Sequence, residues 1–170
     1  MLVLYTISYE GTDIERFVST LNAARVQRLA DVRAVPLSRK NGFSKRSLSA
    51  RLEAEGIEYL PFQPLGDPKA GRDAARAGRY DLFRAIYSEH LDSVEAKSAL
   101  KTLVAVAEEK ATCLLCFERD PATCHRSIVA QQLTDYGFEV FDLFGDRPEK
   151  YGRNAHRLPR YDSRKGAAAA

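Results

Sequence analysis

Two thiols, a carboxylate, an imidazole and a guanidinium fall in one short stretch: Cys116, Glu118, Cys124, His125 and Arg126, within Cys113-Leu-Leu-Cys-Phe-Glu-Arg-Asp-Pro-Ala-Thr-Cys-His-Arg126. A thiolate is a nucleophile, a redox group and a metal ligand. An imidazole moves protons near neutral pH, and a guanidinium holds anions through paired hydrogen bonds. The apolar run from Ala111 to Phe117 has the composition of a buried strand. Asp120 followed by Pro121 predicts a helix start, because the Asp oxygen caps free N–H groups and Pro fits the first helical position. The helix continues through Ser127-Ile-Val-Ala-Gln-Gln-Leu-Thr134. Cys124, His125 and Arg126 are therefore expected in its first turn, where the free N–H groups and the helix dipole favour a thiolate or a bound phosphate.

For the thiols several roles stand open. Cys124 and Cys116 are candidates for a nucleophile or redox group, for a disulfide with each other, or for simple buried packing. Cys113-x-x-Cys116 with Cys124 and His125 has the look of a four-ligand zinc set. Cys113 and Cys116 lie three apart on an extended strand, however, and so face opposite sides. Leu-Leu between them is not turn chemistry. A reduced set of Cys116, Cys124 and His125 remains open, and no residue is assigned to a metal. The loop between thiol and guanidinium is too short for a phosphatase or sulfurtransferase cradle.

Other candidates come from strand ends. Asp31 and Arg33 alternate with apolar Ala30 and Val32 and so share one face, as an ion pair or as working groups. Arg33 and Arg126 are expected to form a two-guanidinium clamp for a phosphate or carboxylate. Asp31 or Glu118 is a candidate general base, and His125 a general acid or base. Ser8, Tyr9 and Glu10 follow the first strand, and Ser38 lies in the loop after Arg33; all four are candidate substrate contacts. Phe43 either stacks on a base or packs against the next helix start.

These residues need elements to position them. Val3–Ser8 reads as a strand, and a helix with Ile14, Phe17, Val18 and Leu21 on one face follows Thr12-Asp13. Residues 28–33 form a second strand. Ser44 starts a helix carrying Leu48 and Leu52 that ends at Gly56. Residues 57–60 give a third strand, and residues 61–71 a Pro- and Gly-rich loop. Two or three helices span 74–90 and 94–110. The Cys113 strand, the Cys124 helix and a last strand at 139–143 complete an alternating order. Such an order predicts a single α/β domain with a mostly parallel central sheet of about five strands and helices on both faces. Ligands of such sheets bind beyond the carboxyl ends of the strands, where the candidates gather.

The domain is expected to span 1–145, with a basic, partly disordered tail over 146–170. Net charge is +3 over 170 residues, but the basic residues are uneven. Arg39, Lys40, Lys45, Arg46 and Arg51 share residues 39–51 with no acid, and seven basic residues face three acids in 146–165. Such patches suit phosphates. The apolar start lacks the basic flank and cleavage site of a leader, and no apolar run is long enough to cross a membrane. Three cysteines do not make a disulfide framework, so the cytoplasm is the expected compartment.

Thr6-Ile-Ser-Tyr-Glu-Gly11, Asp31-Val-Arg33 with Pro36 and Ser38, Phe43-Ser44, Gly56-Ile57-x-Tyr59, Leu65-Gly66 and Leu115-Cys-x-Glu-x-x-x-x-Cys-His-Arg126 resemble a bacterial and archaeal family called domain of unknown function 488. The likeness runs from about residue 4 to 143. The family usually carries Gly where this chain has Ser8, and Cys113 lies outside its pattern. The resemblance implies a small α/β cytoplasmic protein and no established reaction. From the residues themselves, two functions are expected, beside a structural or partner-binding role in which the polar cluster only organises the fold. One is a small enzyme acting on a phosphate-bearing substrate, a nucleotide or nucleic-acid component, through the Cys/His/Arg site. The other is a non-catalytic module binding nucleotide or nucleic acid. No cofactor, membrane partner or oligomeric state is assigned.

Overall fold

The computed structural model of the chain describes residues 2–153, and every structural statement below concerns these. Five strands form one sheet: β1 (Leu2–Ser8), β2 (Arg28–Asp31), β3 (Glu58–Pro61), β4 (Thr112–Cys116) and β5 (Phe138–Leu143). Their order is β3-β2-β4-β1-β5 and every pairing is parallel. The helices are α1 (Ile14–Ala23), α2 (Lys45–Ala54), α3 (Lys69–Arg76), α4 (Tyr80–Leu91), α5 (Val94–Glu109), α6 (His125–Thr134) and α7 (Pro148–Arg153). No helix among the described residues is long and apolar enough to cross a membrane.

Alternation along the central strands sorts the core into two layers. Val3, Tyr5 and Ile7 of β1 and Cys113 and Leu115 of β4 pack with Phe17, Leu21, Leu48 and Leu52 of α1 and α2. Leu4 and Leu114 point the other way, onto Phe83, Tyr87, Leu103, Val129 and Leu133 of α4, α5 and α6. Cys113 and Cys116 thus face opposite layers. Burial of Cys113 pushes its thiol above the ordinary range.

Local capping differs from expectation at two helices. Asp13 caps α1 as the sequence predicts, accepting from Arg16 N at 2.9 Å. Ser44 occupies the N-cap position of α2, but its hydroxyl makes no cap bond. It accepts from Ser38 N at 3.0 Å and donates to Ser38 O at 3.1 Å, closing the loop 38–44 on itself. The helix expected to begin at Asp120 is two pieces. Asp120 caps a short 3₁₀ turn, Pro121–Thr123, and α6 starts only at His125. Cys124 is therefore the N-cap of α6 rather than a member of its first turn. The 3₁₀ turn aims the chain so that the thiol, not the Asp carboxylate, meets the open end of the longer helix.

The region read as a loop up to Gly71 contains a 3₁₀ turn, Gln63–Leu65, and the start of α3. Gly66 lies so close to the backbone of Ala34 that a Cβ there would collide with its N and Cα. The contact holds Asp67 beside the strand ends. Gly66→Ala is expected to lower stability by about 1–3 kcal/mol, the usual cost of overpacking, measured as a lower midpoint in urea. An unchanged midpoint would mean that the two loops do not need this approach. Part of the segment expected as tail is ordered: α7 packs on α1, and the buried Tyr151 hydroxyl accepts from Phe144 N at 2.7 Å. The remainder of the expected tail lies outside the described residues.

Candidate functional site

The sheet order creates a switch point at its centre. From β1 the chain leaves to α1 on one face; from β4, its neighbour, it leaves to α6 on the other. A crevice opens beyond the carboxyl ends of these two strands. The two outgoing loops are tied together. Glu10 N donates to Phe117 O at 2.9 Å, and Arg119 N donates to the Glu10 carboxylate at 2.8 Å.

Cys116 ends β4 and Cys124 precedes α6, and their sulfurs form a disulfide with Cα atoms 7.1 Å apart. Arg126 N points at Cys124 Sγ from 3.5 Å, a helix-start contact that favours negative charge on that sulfur. His125 Nδ1 lies 3.6 Å from Cys116 Sγ and 3.8 Å from Cys124 Sγ. Its other nitrogen, Nε2, is 2.6 Å from the carbonyl of Val32. A carbonyl only accepts, so Nε2 carries a hydrogen and Nδ1 is the nitrogen turned toward the sulfurs. The Tyr87 ring packs edge-on against the imidazole at 5.4 Å, and its hydroxyl donates to Leu65 O at 2.5 Å.

Two carboxylates border this group. Glu118 Oε2 is 2.9 Å from Cys116 Sγ, and burial raises the pKa of that carboxyl. Asp67 Oδ1 is 3.8 Å from His125 Nδ1. Above them lie two adjoining clefts of about 330 and 450 Å³, which share Asp67, Arg72, Arg76, Phe117, Glu118 and His125. Cys124 borders the smaller cleft and Cys116 the larger. Both sulfurs sit at the cleft floor, 2% exposed.

The structure brings together Cys116, Cys124, His125 and Glu118 from the expected set, with Glu10 at the edge of the smaller cleft and Tyr9 and Arg33 at the edge of the larger. Asp31 and Arg33 are turned on each other. Arg33 donates through Nε to Asp31 Oδ1 at 2.9 Å, through Nη2 to Oδ2 at 2.8 Å and through Nη1 to Phe43 O at 2.6 Å. Tyr59 OH also donates to Asp31, at 2.5 Å. Burial alone would lower the Arg33 pKa, but the hydrogen bonds and charge of Asp31 hold it above the ordinary range. Arg126 is equally enclosed. It donates to Glu118 O and Thr6 Oγ1, and to Arg119 O at 3.3 Å, while burial pulls its pKa down. Both guanidinium groups are turned to partners within the protein; Arg33 nevertheless borders the larger cleft, whereas Arg126 lines neither of the two. Phe43 is buried and stacks on Tyr9 at 4.7 Å, so its role is packing. Ser8 is buried beside Cys116 in the β1–β4 register, and Ser38 serves the loop closure with Ser44.

Sequence reasoning missed Asp67, Arg72 and Arg76. A signal was present: Lys69, Arg72 and Arg76 recur at i, i+3 and i+7, one face of a short helix just after Leu65-Gly66. Arg72 Nη1 donates to Asp67 O at 2.6 Å, which leaves the rest of its fork at the cleft, and Arg76 is exposed.

Neither the curated proteins nor the solved structures contain a match to this chain. The family model described as "Domain of unknown function DUF488" matches residues 13–133. That span is narrower than the motif likeness and holds every quoted motif except Thr6–Gly11. It carries the chain from the cap of α1 to Leu133 of α6, including both sulfurs, the imidazole, Glu118 and Asp67 but not Glu10. By that match the chain belongs to the domain of unknown function DUF488 family.

Proposed function

We propose that the protein is an enzyme whose working group is the Cys116/Cys124 pair, acting on an anionic, phosphate-bearing substrate. One observation carries this: a single imidazole nitrogen faces both sulfurs at the floor of an open cleft. In the reduced state Cys124, at the head of α6, is the better thiolate and attacks one sulfur or oxygen of an S–S or O–O bond in the substrate, whose phosphate serves for recognition only. A bond forms from sulfur to that atom, and the bond to the leaving group breaks with the electron pair going to the leaving group. Cys116 then attacks Cys124 Sγ, the disulfide forms, and the rest of the substrate departs with its electron pair. The two thiol protons go to the two fragments, with His125 Nδ1 placed to carry them. The substrate gains two electrons, and a low-molecular-weight thiol returns the pair to its dithiol form by exchange. Arg72 and Arg76 supply the positive charge for the anion in place of Arg33 and Arg126. Asp31 and Arg33 act instead as positioning residues, fixing the turn that carries the Val32 carbonyl and hence the His125 tautomer.

In the phosphine-reduced protein, iodoacetamide is expected to alkylate Cys124 about tenfold faster at neutral pH than a free cysteine, as the larger thiolate fraction requires. Pyrophosphate should slow that alkylation, and Arg72→Ala with Arg76→Ala should abolish the protection. A rate equal to that of free cysteine, or one unchanged in Cys124→Ser, ends the proposal. For the alternative, a non-catalytic nucleic-acid module, the 39–51 stretch offers the exposed Arg39, Lys45 and Arg46 but not its other two cations. Lys40 Nζ is spent on Tyr9 O and Thr12 O, and Arg51 on Glu15 and Glu55.

A further inference from the structure

We infer that Cys116, Cys124 and His125, once the disulfide is reduced, form a binding site for a zinc-class divalent ion, with Glu118 the carboxylate nearest its fourth side. It rests on the proposed function only in taking the same two cysteines as chemically accessible.

The geometry points to an ion in three ways. The ligand atoms Sγ, Sγ and Nδ1 all lie within 4.8 Å of one another, and all three residues are buried. The two Sγ–Nδ1 separations, 3.6 and 3.8 Å, are those of ligands held about 2.0–2.3 Å from one tetrahedral centre, and the sulfurs part once their bond is reduced. The histidine is already in the ligating form. Its Nε2–H is committed to Val32 O at 2.6 Å, the outer hydrogen bond that metal-binding histidines use to fix ring and tautomer. The backbone spacing suits an ion as well as a bond: the Cα atoms are 7.1 Å apart, past the usual upper reach of about 6.8 Å for a disulfide. Separating the sulfurs to admit an ion asks little of either element.

Ligand chemistry sets the class of metal. Two thiolates and an imidazole select zinc or a similar borderline-soft ion over magnesium or calcium. Glu118 Oε2, 2.9 Å from Cys116 Sγ, stands beside the centre, and both clefts reach it. Three protein ligands with the fourth side toward a cleft is the pattern of a zinc site open to exchange. Cys113 is excluded because it packs in the opposite layer. Disulfide and ion are mutually exclusive. Reduction supplies two electrons to the sulfurs, and binding one ion releases to solvent whatever protons the two thiols still hold.

Cobalt(II) titration of the phosphine-reduced, full-length protein under argon tests the site. One ion per chain should bind with a thiolate-to-cobalt charge-transfer band and the visible bands of four-coordinate cobalt, and zinc should displace it. Cys113→Ser should leave the bands unchanged. Cys124→Ser and His125→Gln should remove or shift them, and Glu118→Gln should weaken binding about 10- to 100-fold. The oxidised wild type is the folded control that needs no substitution, and it should show no charge-transfer band. Absence of the band in reduced wild type, or an equal band in oxidised protein, overturns the site. Cobalt binding without fast alkylation of the metal-free protein keeps the ion and removes the proposed activity; the reverse result does the opposite.

Discussion

Asp31→Ala is expected to cost about 3–5 kcal/mol of stability, the range for removing one partner of a buried ion pair. Asp31 and Arg33 are 2% and 5% exposed, and the carboxylate accepts two guanidinium bonds, the Arg33 backbone N–H and the Tyr59 hydroxyl. Deleting it strands a guanidinium that is 5% exposed and touches the larger cleft only at its edge. The loss should therefore exceed the sum of its hydrogen bonds. Replacing both partners together, Asp31→Leu with Arg33→Leu, should recover part of the stability, because two apolar side chains leave no buried charge behind. The effect should also reach the cleft, since Val32 lies between the pair and its carbonyl orients His125. Denaturant midpoints of the three variants decide the matter. A single-variant loss below about 1 kcal/mol would show that water enters and solvates Arg33.

Arg126→Met is the second large effect, at about 2–5 kcal/mol. The guanidinium holds the carbonyls of Glu118 and Arg119 and the hydroxyl of Thr6, which in turn donates to Asp142. Each buried acceptor left without a donor costs about 1–3 kcal/mol, partly offset because a charge no longer needs to be buried. Arg126→Lys should not rescue the fold, because a single ammonium cannot span three acceptors in different directions. Amide hydrogen exchange should rise first across residues 117–120, the loop that Arg126 pins. If that loop stays protected while global stability drops, the three bonds are not what holds it.

The order of strands and helices was legible because their apolar residues keep distinct periods. Strict apolar–polar alternation is absent from the central strands β1 and β4, whose residues are mostly apolar and buried on both faces, and this itself signals a parallel sheet covered on both sides. The opposition of Cys113 and Cys116 followed from strand geometry alone. The helix at Asp120 misled because a sound cap and an N1 proline start a 3₁₀ turn as readily as an α-helix, and local chemistry does not say which continues. Ser44 misled for a related reason: a serine hydroxyl bonds whichever backbone group the loop brings nearest.

The candidate site was half legible. The residue types of Cys116, Glu118, Cys124 and His125, and their place where a strand meets a helix, are properties of one contiguous segment. What Arg33 and Arg126 do is not, because a guanidinium takes the acceptors it finds and these come from loops distant in sequence. Asp67, Arg72 and Arg76 enter only because Gly66 lets one loop lie against Ala34.

The chain by itself determined the elements, their layers and the segment that bears sulfur and imidazole, since periodicity, capping and turn chemistry act over a few residues. Folding in three dimensions decided which charges remain open to a ligand and which are consumed as internal supports. Burial and hydrogen-bond saturation depend on neighbours that meet only when the sheet is assembled.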